Sequence, residues 1–276
     1  MRVTVYPDAG PFLDRALADL ERQEVANGLM LGICLGLQKA PPKTAPLLAT
    51  VEDDRGLALA AVMTPPHRIV LASHLDDPSE AVDALARWLA SSPWAIPGVL
   101  GPAHVADAFA RRWGKPFTPG MYQRVYELRE VIHPAYPPGA FRIATPDDLA
   151  IVAPWVHAFQ FDIGQAATAE DSREIARQRI DEGGIYLWDH QGPVSMAAKT
   201  RPTRHGVAVN LVYTPPAARR KGYASACVAR LSQLLLDQGY AFCTLFTDLA
   251  NPTSNHIYQD IGYVPVCDFN AYDFVG

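Results

Sequence analysis

Cysteine is scarce in this chain. Its four residues (Cys34, Cys227, Cys243 and Cys267) lie far apart with no CxxC pair, so neither a zinc framework nor a disulfide scaffold is indicated. Reduced core thiols are the expectation. A long apolar run is also missing. The longest stretch, Leu29 to Leu37, is about half of the roughly 20 residues needed to span a bilayer, and it reads as a buried strand. Nor is there a basic excess: 24 Lys+Arg against 29 Asp+Glu give a net charge of −5, which argues against a general nucleic-acid binder. Residues 1–7 lack the apolar run and small-residue cleavage site of a signal peptide. These absences lead to the expectation of a soluble, cytoplasmic protein with neither membrane nor nucleic acid as a partner. Several chemical signatures are absent too: the Walker loop GxxxxGK[ST], a GxGxxG turn, an HExxH metal site and a GxSxG nucleophile elbow. No metal is expected.

What is present suits a large folded chain. Its 276 residues are 49% hydrophobic and 19% charged, enough apolar material for one large domain or two ordinary ones. An internal repeat favours two. At a fixed offset of 136 positions, Asp53, Gly56, Ala61, Thr64, Pro66 and Arg68 recur as Asp189, Gly192, Ala197, Thr200, Pro202 and Arg204. Both copies read as a hairpin whose turn carries a glycine. Between them, His133-Pro134-Ala135-Tyr136-Pro137-Pro138-Gly139 cannot continue a helix or a central strand. The expected organisation is therefore a first domain over 1–132, a linker over 133–139 and a second domain over 140–276.

The second half reads as strand 141–143, a helix opened by the capping pattern Thr145-Pro146-Asp147-Asp148, and a second helix opened by Thr168-Ala169-Glu170-Asp171. Strands 185–189, 193–200 and 206–214 follow. Then come an amphipathic helix over 223–238, strand 242–247, a short helix over 252–261 and a last strand over 263–269. The first half has a similar order: helix 11–26, strands 29–37, 47–53, 57–64 and 68–74, helix 78–90, a strand near 98–101, helix 103–113 and strand 121–129. The fold class is α/β (α+β), each half a mixed, mostly antiparallel central sheet flanked by helices.

The segment richest in chemistry is Leu211-Val212-Tyr213-Thr214-Pro215-Pro216-Ala217-Ala218-Arg219-Arg220-Lys221-Gly222-Tyr223-Ala224. It is a strand, a proline-bearing loop and a helix start. Unpaired N–H groups at a helix start attract anions, a glycine there permits close approach, and Arg219, Arg220 and Lys221 add charge. Two readings follow: a phosphate cradle, or an exposed basic turn ahead of an amphipathic helix.

Arg219-Arg220-Lys221-Gly222-Tyr223-Ala224 resembles the [QR]-x-x-G-x-[GA] signature of the GCN5-related N-acetyltransferases (GNAT), with Thr214-x-Pro216 in the place of the usual Val-x-Pro. Downstream, Asn251, Tyr258 seven residues on, and Gly262-Tyr263 are similar to the family's second constellation. The resemblance covers about 140–276. The first half is similar in element order only, because His74-Leu75-Asp76-Asp77-Pro78 is acidic and lacks the signature glycine. The whole resembles the tandem arrangement of mycothiol synthase, with a first domain that has lost the coenzyme site.

This resemblance implies acetyl-CoA as cosubstrate and direct attack on it by a primary amine of a small molecule or peptide, in a ternary complex. It gives Val212, Tyr213 and Thr214 to the pantetheine arm and thioester carbonyl, and Arg219 to Ala224 with Ser225 to the pyrophosphate. Asn251 falls to the pantetheine region, and Tyr258 to the leaving thiolate as general acid. Asp248 is a candidate general base, with His205, Asp162 or a water chain as alternatives. His256 reads as an exposed helix residue, and Asn210 is a polar residue in an otherwise apolar strand. A non-catalytic acyl-CoA-binding module and a transferase with another acyl donor are the competing readings. A monomer or homodimer is expected.

Overall fold

The computed structural model describes residues 1–40, 42 and 44–275. It falls into two compact units. The first comprises Met1–Tyr126, Phe246–Asn251 and the chain from Pro265 onward; the second comprises Glu127–Leu245 and Pro252–Val264.

In the first unit β1 (Arg2–Val5), β2 (Leu47–Asp53), β3 (Gly56–Met63) and β4 (Ile69–Ala72) pair antiparallel in that order. Next, β5 (Gly98–Pro102) joins β4 in parallel. Helices α1 (Ala9–Glu21) and α2 (Glu24–Lys39) cover one face, and α3 (Ser79–Ala90) and α4 (Ala103–Trp113) the other. Alternation along β2 explains the two cores. Leu47, Ala49 and Val51 pack towards α3 and α4, while Leu48 packs towards α1 and α2. Near the end of β6 (Phe117–Leu128), after Tyr126, the chain enters the second unit.

The second unit repeats the plan. Strands β7 (Ala140–Ile143), β8 (Ile185–Asp189), β9 (Pro193–Thr200) and β10 (Gly206–Tyr213) pair antiparallel, and β11 (Phe242–Asp248) joins β10 in parallel. Helices α5 (Leu149–Asp162) and α6 (Ala169–Asp181) cover one face, while α7 (Tyr223–Asp237) packs on β8 and β9. The short α8 (Pro252–Asp260) and β12 (Val264–Phe274) complete the series. Each copy thus has one order: strand, two helices, three strands, helix, strand, helix, strand. The repeated hairpins match in detail, with Gly56 at φ 123° and Gly192 at φ 115° in their turns. The last strand is the exception to locality in the chain: β12, which from Pro265 onward belongs to the first unit, pairs antiparallel with β5 there, Phe269 opposite Pro102 through Asp273 opposite Gly98.

Two sequence expectations need correction. The apolar stretch 29–37 is not a strand; it lies inside α2. Within α2 the buried positions Asn27, Met30, Leu31 and Cys34 follow a spacing of three and four, and Cβ atoms at Gly28 and Gly36 would meet open space. The small glycines hid that period by making the run look uniformly apolar. The expected single helix 11–26 is likewise two helices, broken at Arg22-Gln23, where Asn27 Nδ2 donates to the carbonyl of Leu20 at 2.9 Å.

Both capping patterns form as read. Thr168 caps α6 with Asp171 reciprocating, and the Thr145 N–H donates to Asp148 Oδ2 at 2.8 Å. Asp148 also receives both terminal nitrogens of Arg142 at 2.7 and 2.8 Å, and Arg142 Nε reaches Asp189 at 3.0 Å. The Arg142 guanidinium, over the opposing effect of burial, holds the Asp148 carboxyl at about 2. Because the folded value lies below the unfolded ~3.9, this stabilisation is present above pH ~4 and is lost as pH falls through about 2. Asp148→Asn should therefore lose roughly 2 kcal/mol of unfolding free energy at pH 7, at ~1.4 kcal/mol per unit. Urea titrations should show the gap between parent and variant narrowing below pH ~4; a gap independent of pH would detach Asp148 from this role.

Candidate functional site

The site is built where β10 and β11 part. Their parallel register covers only Gly206 to Ala208 opposite Phe242 to Thr244, although β10 continues to Tyr213. Beyond that point β10 carries a bulge against β9: Asn210 faces Ala198 and Tyr213 faces Met196, so Leu211 and Val212 stand outside the ladder. Leu211 sits at φ 48°, an unusual conformation for a leucine. Ser195 steadies the strand end, its Oγ lying 3.3 Å from the Tyr213 carbonyl and 2.9 Å from Thr214 Oγ1.

After β10 the chain makes a short 3-10 turn over Pro216–Ala218 and curls into α7. Arg220 at φ 63° and Gly222 at φ 77° are both left-handed, a curl that turns successive N–H groups towards one point. Gly222 is the N-cap of α7 and supplies no side chain, so the first-turn N–H groups of Tyr223, Ala224 and Ser225 lack a side-chain cap. Arg220 and Lys221 are exposed beside them. Arg219 behaves differently. Its Nε donates to the Thr214 carbonyl at 2.9 Å, its guanidinium lies 5.8 Å from the Tyr213 ring centre, and Nη2 reaches Asp162 at 3.4 Å. Arg219 is thus engaged in holding the loop to the end of α5.

The matching helix start in the first unit is closed. There the Ser79 N–H at the start of α3 donates to Asp77 Oδ1 at 3.0 Å, and hydrogen bonding from Ser79, by its side chain first and its N–H second, holds the Asp77 carboxyl below its usual range. A carboxylate of the chain's own thus accepts the first N–H of α3, whose N-cap, Pro78, supplies no side-chain cap itself.

Tyr258, on α8, is almost fully buried, and burial pushes its phenol well up, so it is protonated at neutral pH. Its ring packs edge-on against Tyr263 at 6.0 Å, and the Tyr263 hydroxyl lies 2.9 Å from Ser232 Oγ. Gly262 fixes this turn. It sits at φ 105°, and a Cβ there would lie 2.6 Å from the Glu130 carbonyl.

The second unit holds Val212, Tyr213, Thr214, Arg219, Arg220, Lys221, Gly222, Tyr223, Ala224, Ser225 and Tyr258. Asp248 and Asn251 fall in Phe246–Asn251, which groups with the first unit. Asp248 Oδ1 accepts the Ala250 N–H at 2.8 Å, and its carbonyl accepts the Asn251 N–H at 3.1 Å, so this segment forms a tight turn. His256 is exposed and lies 3.3 Å from Asp260. Sequence reasoning missed Ser195 and the Arg219–Asp162 pair, since neither belongs to a motif; only the folded β10 end reveals them. It also missed Pro137, whose ring is the nearest neighbour of a Cβ built on Gly222, at 3.9 Å. Among the described residues, no group of three His, Cys, Asp or Glu is placed to hold a metal, and no helix is long and apolar enough to cross a membrane.

Residues 184–270, which carry the cradle and Tyr258, match the family model described as FR47-like protein. A GNAT-family acetyltransferase from Colwellia psychrerythraea superimposes with a TM-score of 0.63 at 11% identity, covering 100% of both chains. The chain has the fold of GCN5-related acetyltransferases. A GCN5-related N-acetyltransferase from Sphaerobacter thermophilus gives a TM-score of 0.65 at 14% identity over 98% of this chain and 94% of that one. The tandem character has a counterpart in a tandem GNAT protein from the clavulanic acid biosynthesis pathway, with a TM-score of 0.58 at 14% identity and 98% coverage of both chains. No curated protein matches the sequence.

The left-handed turn at Gly222 has a measurable cost when any other residue occupies it. A Cβ at Gly222 meets nothing closer than Pro137 at 3.9 Å, so the demand for glycine is conformational and not steric. Gly222→Ala should destabilise the fold by roughly 1–2 kcal/mol, whereas Gly222→Asn, better suited to positive φ, should cost less. Melting temperatures of the two variants test this; equal stability of Gly222→Ala and the parent would contradict the left-handed cap.

Proposed function

We propose that the protein transfers an acetyl group from acetyl-CoA to a primary amine of a small molecule or peptide. The observation that carries this reading is the uncapped start of α7, with Gly222 and Arg220 left-handed and Arg220 and Lys221 exposed beside it. That arrangement suits a pyrophosphate, because its donors are backbone N–H groups at the positive end of a helix. Gly222, Tyr223, Ala224 and Ser225 would hold the pyrophosphate, with Arg220 and Lys221 adding long-range attraction. The bulged end of β10 at Val212, Tyr213 and Thr214 would offer backbone groups to the pantetheine arm and thioester carbonyl. Coenzyme A supplies the activated acyl group; the protein supplies orientation and a proton.

Tyr258 is the proposed source of that proton. A phenol kept protonated by burial can donate to the departing thiolate as the amine attacks. Asn251 is assigned to the pantetheine region. Asp248 is the proposed general base, with one carboxylate oxygen accepting the Ala250 N–H. We assign catalysis to residues 140–276 and a degenerate role to 1–132, on the ground that Asp77 fills the matching helix start in the first unit.

This reading predicts one coenzyme A bound per chain by calorimetric titration, with binding lost in Gly222→Asp and largely kept in Arg219→Ala. Two equivalent sites per chain would overturn it. The non-catalytic alternative separates at Tyr258. Tyr258→Phe should lower turnover by roughly 10–10⁴-fold while coenzyme affinity holds, because only a group acting in the transition state is removed. Coenzyme release over a panel of amines provides the measurement. Normal turnover in the variant, with chemistry limiting the rate, would remove Tyr258 from the mechanism.

A further inference from the structure

The proline-rich linker 133–139 lies within the second unit and packs on the start of α7. The chain enters it at the Gly262 turn, where the Ile132 N–H donates to the Ile261 carbonyl at 3.0 Å. It leaves at the β8–β9 hairpin. There Trp188 Nε1 donates to the Pro138 carbonyl at 3.3 Å, and a Cβ built on Gly139 would lie 3.2 Å from His190 Cβ. Between these points Pro137 stands 3.9 Å from a Cβ built on Gly222, the N-cap of α7. The His190 ring in turn lies 6.0 Å from that of Tyr223, the first residue of α7. Linker and hairpin thus meet beside the helix start, and much of what they bring there is aromatic.

Tyr136, next to Pro137, is the exposed ring of this group. One face stacks on the buried Trp188, with ring centres 5.9 Å apart and planes 9° from parallel. Its hydroxyl lies 2.7 Å from His133 Nδ1. Tyr136 nevertheless stays 38% exposed, so its open surface is the side away from Trp188. A ring held at its back and at its hydroxyl loses little further freedom when a flat group lands on it, and little affinity is lost to ordering it.

We propose that Tyr136 is the stacking platform for the adenine base of coenzyme A. This rests on the reading of the α7 start as the pyrophosphate cradle. In the coenzyme the base stands one ribose from the pyrophosphate; in the protein Tyr136 stands one residue from the proline beside Gly222. Stacking on an aromatic ring uses the π-face of the base and needs no hydrogen-bond partner from the linker. The linker is then part of the coenzyme site as well as the join between the two copies, and it holds the nucleotide end of a molecule whose acyl end lies at the end of β10.

The test titrates the full chain with coenzyme A by calorimetry, and with etheno-coenzyme A, whose modified base fluoresces and is quenched when it stacks on a ring. The saturated parent should quench that emission. Tyr136→Leu keeps Trp188 covered but removes the π-face; it should weaken coenzyme A by roughly 5- to 100-fold, the range of one base–aromatic stack, and lose the quenching at saturation. Tyr136→Phe keeps the ring, and its affinity should stay within about twofold of the parent with quenching intact. Unchanged affinity in Tyr136→Leu overturns the proposal, and so does weaker binding with full quenching, which would make Tyr136 a prop for the linker alone. If Tyr136→Leu fails to fold, the parent still decides: no quenching at saturation overturns the proposal. These failures leave the cradle standing as long as Gly222→Asp abolishes binding, whereas a parent that binds no coenzyme A removes both.

Discussion

The early parting of β10 from β11 is the constraint on which the rest of the site depends. Only three residue pairs join these parallel strands, Gly206 to Ala208 against Phe242 to Thr244. Backbone polar groups beyond that point need other partners, and burying them unpaired would be costly. The bulge at Leu211-Val212 answers on the β9 side, and Ser195 answers at Tyr213 and Thr214. Helix α7 must then start close to the strand end, within a loop of nine residues from Thr214 to Gly222. Two left-handed residues, Arg220 and Gly222, make that reversal, and the same reversal exposes the helix's donors. The local solution to a backbone problem is therefore also what leaves the first N–H groups of α7 without a side-chain cap.

The two copies of the plan show how little separates an open helix start from a closed one. Both place a helix after the fourth strand of the copy. In the second copy the N-cap is a left-handed glycine with no side chain to offer. In the first, the Ser79 N–H donates to a carboxylate oxygen of Asp77. A helix start attracts an anion whether that anion comes from a ligand or from the chain. Where the chain supplies its own, repulsion and occupancy both disfavour a phosphate. One acidic residue thus distinguishes the two helix starts in copies whose element order is the same.

Periodicity and punctuation made most of the second unit legible. The capping patterns at Thr145 and Thr168 mark α5 and α6, and Gly222 and Gly239 bracket α7. The repeat seen at Gly56 and Gly192 corresponds to two hairpins with the same left-handed turn. Legibility failed where small residues blurred the period. Gly28, Gly32 and Gly36 turned an amphipathic helix into an apparently uniform apolar run, and a strand was the natural reading of its length. It failed again where an interaction joins distant positions: Ser195 to Thr214, Arg219 to Asp162, and Pro137 beside Gly222 have no local signature. The destination of β12 was equally hidden, since nothing in residues 264–274 says which copy's sheet they complete.

That destination bears on why a copy with a closed helix start is still part of the chain. In the first unit, β12 lies beside β5, and its side chains make several of that unit's polar contacts. Asp273 takes Arg68 through two bonds of 2.7 Å, and Asp268 takes Arg124 at 2.6 and 3.0 Å. Asn270 and Tyr272 both donate to Asp107 at 2.7 Å. Phe269 packs edge-on against Phe246 at 5.2 Å. Cutting the chain in the linker would strip this strand from the first unit and leave the arginines and Asp107 without their partners, together with an unpaired edge along β5. The repeat is sequential in the chain but not in the contacts, so the first copy cannot be discarded as an independent module. Its sheet is completed by the last residues of the copy that carries the open helix start, which ties the integrity of one to the presence of the other.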